Sequence, residues 1–557
     1  MPMKIHIYQI FTRLFGNKNS TNKPNGSIEE NGCGKFNDIT TKALQEIKSL
    51  GMSHIWYTGI IEHASLTSYE EFGINADHPD FVKGKAGSPY AIRDYYDVCP
   101  DLAVDVSHRM GEFKELLQRT HKSGLKAIID FVPNHVSRVY KSDSKPQGVL
   151  DLGENDNPEL AFSPQNNFYY LPGEELHLPN ADKQNPYQEF PAKVTGNDCF
   201  SACPSEHDWY ETVKLNYGVD YQNGMIKHFD PIPDTWNKMT DILLFWAEVG
   251  VDGFRCDMAE MVPVEFWNYA ITKVKEKYPD ILFVAEVYDP KQYRNYIHTG
   301  RFDLLYDKVG LYDTLRGIIE GHKWANDITE CWQSVDDIKE HMLYFLENHD
   351  EQRIASDFFA KNPWRAIPAF VVSTCMEKSS YMQYFAQEVG ENALDAEGFS
   401  GKDGRTTIFD YWGVKEHQKW MNNGEFDGAL LSEEQKLLRQ SYSEILNLVL
   451  NNSTIQNGAF YDLQWANKDN PNYNSQYIYS FLRYSEKKVV IFVLNFADSA
   501  QTIKINIPDD ALRLSGLTLD SKGKQVIAVS CDVDLLSLNQ TFEIGANGVL
   551  IFNIDLP

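Results

Sequence analysis

No stretch of this sequence is apolar over the roughly twenty residues that a membrane helix needs, so nothing in it reads as a spanning segment. The opening MPMKIHIYQIFTRLFG puts Arg13 where the apolar part of a signal peptide would continue, and the expectation is a cytoplasmic protein. Basic charge is scarce: 52 Lys and Arg against 79 Asp and Glu leave a formal charge of −27. That balance argues against nucleic acid, whose phosphates attract basic surfaces. Cysteine is sparse, eight residues in 557, and only Cys199 and Cys203 lie close together. No Cys/His set has the paired spacing of a zinc site, and free thiols are expected. No glycine-rich phosphate loop follows the first apolar run, which speaks against a dinucleotide-binding doubly wound sheet.

Aromatic residues are plentiful, with 30 Tyr, 31 Phe and 11 Trp, which suits a large core and also flat polar ligands such as sugars. The chain has a rhythm as well. An amphipathic helix, a stop and a short apolar run recur: ITTKALQEIKSLG into MSHIWYTGI, HRMGEFKELLQRTHKSG into LKAIIDFVPN, WNKMTDILLFWAEVG into VDGFRCD, and FWNYAITKVKEKYPD into ILFVAEVYD. Gly51, Gly124 and Gly250 fall where helices end. The runs after them are continuously apolar, as parallel strands covered on both faces must be.

With IHIYQIF, FDLLYDK, HMLYFLEN and SYMQYFA the candidate strands number eight. The predicted fold class is α/β, a closed (β/α)8 TIM barrel with its chemistry at the C-terminal strand ends. Residues 1–137 and 216–455 would build the barrel, with SEEQKLLRQSYSEILNLVLNN as its last helix. Residues 138–215, rich in Asn, Pro and Gly, are too long for an ordinary loop and would form an excursion domain after the third strand. From 456 to 557 helical patterns cease, and a C-terminal antiparallel β-sandwich is expected.

Polar residues follow four of the apolar runs: Asp130, Asn134 and His135 in DFVPNHVS, Arg255 and Asp257 in GFRCD, Glu286 in FVAEVYD, and His349 and Asp350 in FLENHDEQR. On strand ends of one barrel they converge over one mouth. Arg255 and Asp257 are two apart, so they leave a strand by the same face, and a charge there must be paired or solvated. Carboxylates with an Arg and two His can hold a metal or break an acetal. The Arg would repel a cation beside Asp257, whereas glycoside cleavage uses every residue type present, one carboxylate attacking and another protonating the leaving oxygen. Arg255 is then expected to lower the pKa of Asp257. Glu286, in the apolar FVAEV, is expected to stay protonated near neutral pH.

DFVPNHV at 130–136, GVDGFRCD at 250–257, VAEV at 284–287 and LENHD at 346–350 resemble, in order, the four main motifs of the α-amylase superfamily, glycoside hydrolase family 13. VKLNYG at 213–218 resembles its additional motif at the end of the excursion domain. The resemblance covers roughly residues 1 to 460, and the trailing β domain also matches. It implies retaining hydrolysis of α-1,4-linked glucans or maltooligosaccharides, with Asp257 as nucleophile, Glu286 as general acid/base and Asp350 as the group that grips the distorted ring. It further implies that Arg255 orients the nucleophile, that His135 and His349 contact sugar hydroxyls, and that Tyr90 in SPYAIRDYY stacks beneath the sugar. No cofactor is required for that chemistry. Asn134 is similar to a calcium ligand of the family, whose other ligands come from the excursion domain, where Asp151, Glu154 and Asp156 are available.

The chain departs from the family pattern beside the nucleophile. Many starch-cleaving members have Lys-His three and four residues later, where this chain has Glu260 and Met261. Met258 follows directly, neither the Ala common in α-1,4 enzymes nor the Val common in α-1,6 oligosaccharidases. Linkage therefore stays open, and an α-glucosidase or glucan transglycosylase with α-1,6 or mixed preference is the alternative. A carbohydrate-binding protein on an inactive amylase fold is the non-enzyme alternative; it would be expected to lack one of the three acids, and all are present. The expected partner is an α-glucan, with no nucleic acid and no membrane.

Overall fold

The computed structural model describes residues 4–399, 401–531, 533, 535–538 and 540–556. Strands β1 (His6–Phe11), β2 (His54–Thr58), β3 (Lys126–Phe131), β4 (Gly253–Cys256), β5 (Leu282–Ala285), β6 (Leu304–Tyr306), β7 (Met342–Phe345) and β8 (Ser380–Tyr384) close into a barrel. Each strand pairs in parallel with its neighbours in the chain, and β8 returns to β1. The expected (β/α)8 barrel is present.

Both faces of these strands are apolar because they serve two cores. Ile7, Trp56, Ile128, Val284, Leu343 and Met382 fill the barrel interior as one cluster. Their neighbours Tyr8, Ile55, Ile129, Phe254 and Phe283 point outward into a larger core. That core is shared with helices α1 (Thr41–Leu50), α2 (Arg109–Lys122), α3 (Asp234–Val249), α4 (Val264–Lys277), α5 (Asp313–Glu320), α6 (Ile328–Ser334), α7 (Ile367–Cys375) and α8 (Glu433–Asn451). Helix α1 ends at Gly51, where φ is +109° and a Cβ would stand 2.8 Å from that of Leu446 in α8. Only glycine fits both demands.

Two connections differ from the expected rhythm. The β5–β6 link holds one five-residue helical turn, Asn295–Thr299, in place of a full helix. The link from β2 is long too, and its hairpin pairs Ile61–His63 with Ile92–Val98. Phe81 in this link packs with Tyr169, Leu176 and Val194 of the 138–215 segment in one small core. The excursion is therefore built from two loops, and its own strands are short: Thr212–Lys214 on His135–Ser137 and Ala192–Lys193 on Tyr170–Leu171. Few hydrophobic residues in a long polar loop cannot form a core alone.

Beyond the barrel, β9 (Ala459–Asp462), β10 (Ile478–Tyr484), β11 (Lys488–Asn495), β12 (Lys522–Val529), β13 (Leu535–Ser537) and β14 (Val549–Asp555) form one antiparallel sheet in the order β9-β10-β11-β14-β12-β13. A separate pair joins Gln501–Ile503 to Phe542–Ile544. Helices do not cease at 456: Asp509–Ser515 is helical, and its Ala511 joins the second core of this region. The signals were in PDDALRLSG, with proline before the first turn, two acids in it and glycine after it.

The central strands run apolar without alternation for the same reason as the barrel strands. Tyr479, Phe481, Val490, Phe492 and Ile551 face the barrel core, while Ile478, Leu482, Ile491 and Leu550 face the second core. Phe481 and Phe492 stack at 4.4 Å between ring centroids. Phe492→Ala is expected to cost about 3–5 kcal/mol in urea-induced unfolding; a loss below about 1 kcal/mol would contradict the buried seam between sheet and barrel.

Candidate active site

Strand parity aims the candidate residues into one mouth. Ile128 and Val284 point inward, so Asp130 and Glu286, two residues further, do as well. In β4 the inward row is Gly253, Arg255 and then Asp257 just past the strand end, with Arg255 in register between Asp130 and Val284. Arg255 and Asp257, two residues apart at the end of an apolar run, are thus the inward row of one strand.

Arg255 is 1% exposed and faces several acids at once. Its Nη1 donates to Asp257 Oδ1 at 2.6 Å and lies 3.7 Å from Asp130 Oδ1, while Nη2 stands 2.8 Å from Glu286 Oε2. Its Nε donates to the Tyr306 hydroxyl at 3.3 Å, and the guanidinium lies 5.1 Å from the Trp56 ring centroid and 5.5 Å from that of Tyr90. A buried guanidinium is tolerable when carboxylates and ring faces surround it this way. Glu286 also accepts from the Met258 backbone N–H at 2.8 Å and from the Tyr288 hydroxyl at 2.7 Å. Met258 reaches that position with φ at +43°, an unfavourable left-handed conformation for a non-glycine residue.

The electrostatics differ from the expectation in two respects. Burial raises the pKa of Asp257 more than the adjacent Arg255 lowers it, so the net direction is up. Glu286 also shifts up, by burial and by the charge of Asp257, against the pull of Arg255. The cause is not an apolar pocket, since the carboxyl touches an arginine, a tyrosine and a backbone amide; the apolar residues of FVAEV pack behind it. Asp350, a third of whose side chain reaches solvent, is pushed up to about 8 by burial and then by Glu286. With Asp130, raised to about 7 by burial against the pull of Arg255, there are four acids near one cation, and they cannot all ionise easily.

His349 is neutral, its pKa driven well down by burial and then by Arg255. The Gln9 amide donates to its Nδ1 at 2.8 Å, which leaves Nε2–H facing the Tyr90 hydroxyl and Asp350 Oδ2, the latter at 3.2 Å. His135 is also neutral, lowered to about 3 by burial and by Lys214. Asp257, Glu286, Asp350, Tyr90 and His135 line one cavity of about 420 Å³. Arg255 and His349 stand immediately behind it through their contacts with Asp257 and Tyr90.

Sequence reasoning missed several residues of this site, three of them on the cavity wall. Trp209 sits on His135 at 5.3 Å between rings, Tyr288 holds Glu286, and Lys83 pairs with Glu211 at 2.7 Å on the cavity wall. Tyr288 could have been found from its place two residues after Glu286. Trp209 and Lys83 come from loops whose course no periodicity reveals. Glu260 is explained locally: its Oε2 accepts the backbone N–H groups of Tyr288 and Asp289, each at 3.1 Å. It braces the loop that carries Tyr288.

The residues at Asn134 do not fit a calcium ion. Asn134 Oδ1 accepts from Lys214 Nζ at 2.9 Å, and that buried ammonium also pairs with Asp198 at 2.5 Å. A fixed positive charge repels a second cation at the same oxygen. Asp151 and Glu154 engage Lys145 and nearby backbone, and Asp156 accepts from the Asn167 and Phe168 amides and the Tyr170 hydroxyl. Among the described residues no group of three or more His, Cys, Asp or Glu is placed to hold a metal.

The sequence model described as alpha amylase, catalytic domain, matches residues 9–436. The chain belongs to the α-amylase family. Alpha-amylase 2 of Dictyoglomus thermophilum is 22% identical over 355 residues, which is 62% of this chain and 48% of that protein. Alpha-amylase MalA of Haloarcula japonica is 24% identical over 359 residues, 63% of this chain and 40% of that one. The chain thus spans about half the length of these curated relatives. Oligo-1,6-glucosidase of Parageobacillus thermoglucosidasius is 22% identical over 427 residues, 69% of this chain and 64% of that protein. Among solved structures, maltogenic alpha-amylase AmyB of Thermotoga neapolitana aligns over 99% of both chains with a TM-score of 0.62 and 20% identity. That likeness speaks for the fold.

The lysine in place of a divalent ion gives a direct test. A chelator is expected to leave Tm unchanged, and Lys214→Met to cost about 1–3 kcal/mol by stranding the Asn134 oxygen and Asp198. A chelator-induced drop in Tm that calcium restores would contradict this.

Proposed function

We propose that the protein is a retaining α-glycoside hydrolase acting on α-1,4-linked glucans or maltooligosaccharides. The observation that carries this reading is a single buried guanidinium in contact with both Asp257 and Glu286, with Asp350 on the rim of the same cavity. Asp257 attacks the anomeric carbon while Glu286 protonates the departing oxygen, forming a glycosyl ester on Asp257. Glu286, now a base, takes a proton from water, which attacks the same carbon and releases the sugar with its original configuration. Arg255 keeps Asp257 oriented and favours its ionised form against burial. The upward shift of Glu286 supports its role as proton donor, and Tyr288 and the Met258 amide fix its direction. Asp350 and His135 bind sugar hydroxyls and Tyr90 lies beneath the ring, while His349, fully buried behind the cavity, holds Tyr90 and Asp350 in place of the sugar contact expected of it.

The preference for α-1,4 links rests on the names of the amylase and cyclomaltodextrin glucanotransferase relatives. The oligo-1,6-glucosidase relative keeps α-1,6 or mixed-linkage hydrolysis or transglycosylation as the second reading. Product profiles on maltoheptaose, pullulan and isomaltotriose separate them. We also propose residence in the cytoplasm, in keeping with the eight cysteines, all free in the structure. Thiol-trapped, freshly isolated protein is then expected to show no disulfide.

Asp257→Ala is expected to lower kcat on the order of 10⁴-fold or more while the chain stays folded. Glu286→Gln is expected to slow natural glucans about 10²–10⁴-fold and glucosyl fluoride far less, because fluoride departs without protonation. NMR of the first-formed product is expected to show the α anomer; the β anomer would overturn the assignment of Asp257. The pH profile of kcat/KM is expected to be a bell, its acid limb set by ionisation of Asp257 above the ordinary aspartate range and its alkaline limb by deprotonation of Glu286.

Asp350 provides a stability test. Its folded pKa, about 8, exceeds the unfolded value, so the folded state holds the extra proton and stability falls as pH rises from about 4 to about 8. Asp350→Asn is therefore expected to gain in Tm over the parent as pH rises through that window, while losing turnover. A Tm deficit for the variant at pH 8 would assign Asp350 a structural role.

A further inference from the structure

We infer that the protein carries a second saccharide site on the far side of the barrel, a groove between the N-terminal ends of β7 and β8 and the C-terminal sheet that binds a neutral α-linked gluco-oligosaccharide. The groove encloses about 700 Å³. Its choice of α-glucan as ligand rests on the function proposed above; the groove itself does not.

One side is aromatic. Trp465, in the turn of helix Gln464–Asn467 after β9, is 60% exposed, an unusual position for a tryptophan. Trp332 of α6 lines the same groove and is held in place, its Nε1 donating to Asp462 at 2.9 Å and its ring edge-on to Phe460 at 5.2 Å. Tyr461 is fixed by its hydroxyl on Asp510 at 2.7 Å. Ring faces held at a groove's edge suit the flat C–H faces of pyranoses.

The floor is polar and unfinished. Glu377 is 2% exposed, yet neither of its oxygens accepts a hydrogen bond from the described residues, and the Lys339 ammonium is 4.0 Å away. Arg483 of β10 is buried and spends its Nη groups on the Met376 and Gly458 carbonyls at 2.9 and 2.7 Å, while its Nε finds no acceptor. Buried groups of this kind without partners are costly, and both line the groove. Hydroxyls can serve either kind of group, donating to a carboxylate and accepting from a guanidinium.

Charge narrows the ligand class. Asp336, Glu377, Asp462 and Asp510 are opposed by Lys339, Lys378 and Arg483 around the groove. An anion meets the four carboxylates and a cation meets the three bases, whereas a neutral polyhydroxylated ligand is penalised by neither. The groove opens on the face of the barrel opposite the catalytic mouth, so a long glucan held there stays clear of the reacting bond.

The test uses the full chain with Asp257→Asn to stop turnover and 5-fluorotryptophan throughout, with the Trp465 and Trp209 resonances assigned by single Trp→Phe variants. Maltoheptaose is titrated and followed by ¹⁹F NMR. The expected result is a saturable shift at Trp465, with an affinity that Glu377→Gln weakens about tenfold, alongside a separate response at Trp209 in the mouth. A response at Trp209 with none at Trp465 would overturn the second site and leave the proposed function standing. A Trp465 response indifferent to Glu377→Gln would remove the groove as its cause. A response at Trp465 alone would uphold the groove and count against the catalytic reading, and silence at both would sink the two together.

Discussion

One guanidinium organises the mouth of this barrel. Arg255 is almost wholly buried and touches Asp257 and Glu286 while facing Asp130. Its charge could not stay in the interior without those carboxylates, and they could not sit so close to one another without it. Burial still outweighs the pairing, which is why the pKa values of Asp257, Glu286 and Asp350 all move up. The site therefore holds fewer negative charges near neutrality than its composition suggests. A carboxyl that keeps its proton is what an acid catalyst requires, and a carboxylate beside an arginine is what a nucleophile requires. The same cluster can supply both because one cation cannot balance four negative charges, Asp130 included.

The neighbouring excursion repeats the device in a simpler form. A buried lysine joins Asn134 at the end of β3 to Asp198 in the loop, so a covalently tethered cation fastens the loop to the barrel. Its charge extends to the site: Lys214 is among the causes that keep His135 neutral. A neutral imidazole both donates and accepts hydrogen bonds, which suits contact with a hydroxyl. Fastening and tuning thus come from one side chain.

The barrel was legible because its strands are covered on both faces, which makes them short, continuous and apolar, and because helix ends such as Gly51 carry a residue that only a left-handed turn explains. The mouth was legible because strand parity is rigid: inward residues at 128, 253 and 284 commit 130, 255, 257 and 286 to the same side. The loops were not legible. Tyr90 was found only through a family pattern, and Trp209 and Lys83 were missed, because a long irregular segment has no period from which direction can be read. The short helix Asp509–Ser515 is masked in the sequence by the alternating strand patterns on both sides of it.

What the sequence determined by itself is whatever follows from local geometry: eight buried strands, the helices between them, and the face on which each strand-end acid leaves the barrel. Tertiary structure alone decided the rest. It placed Arg255 between two acids instead of beside one, gave Glu286 a polar setting at the end of an apolar strand, and put Lys214 on the oxygen of Asn134. Those outcomes depend on distances between segments far apart in the chain, and electrostatic energy varies with such distances and with burial. A spacing along one strand fixes direction, but it cannot fix which partner stands across the barrel.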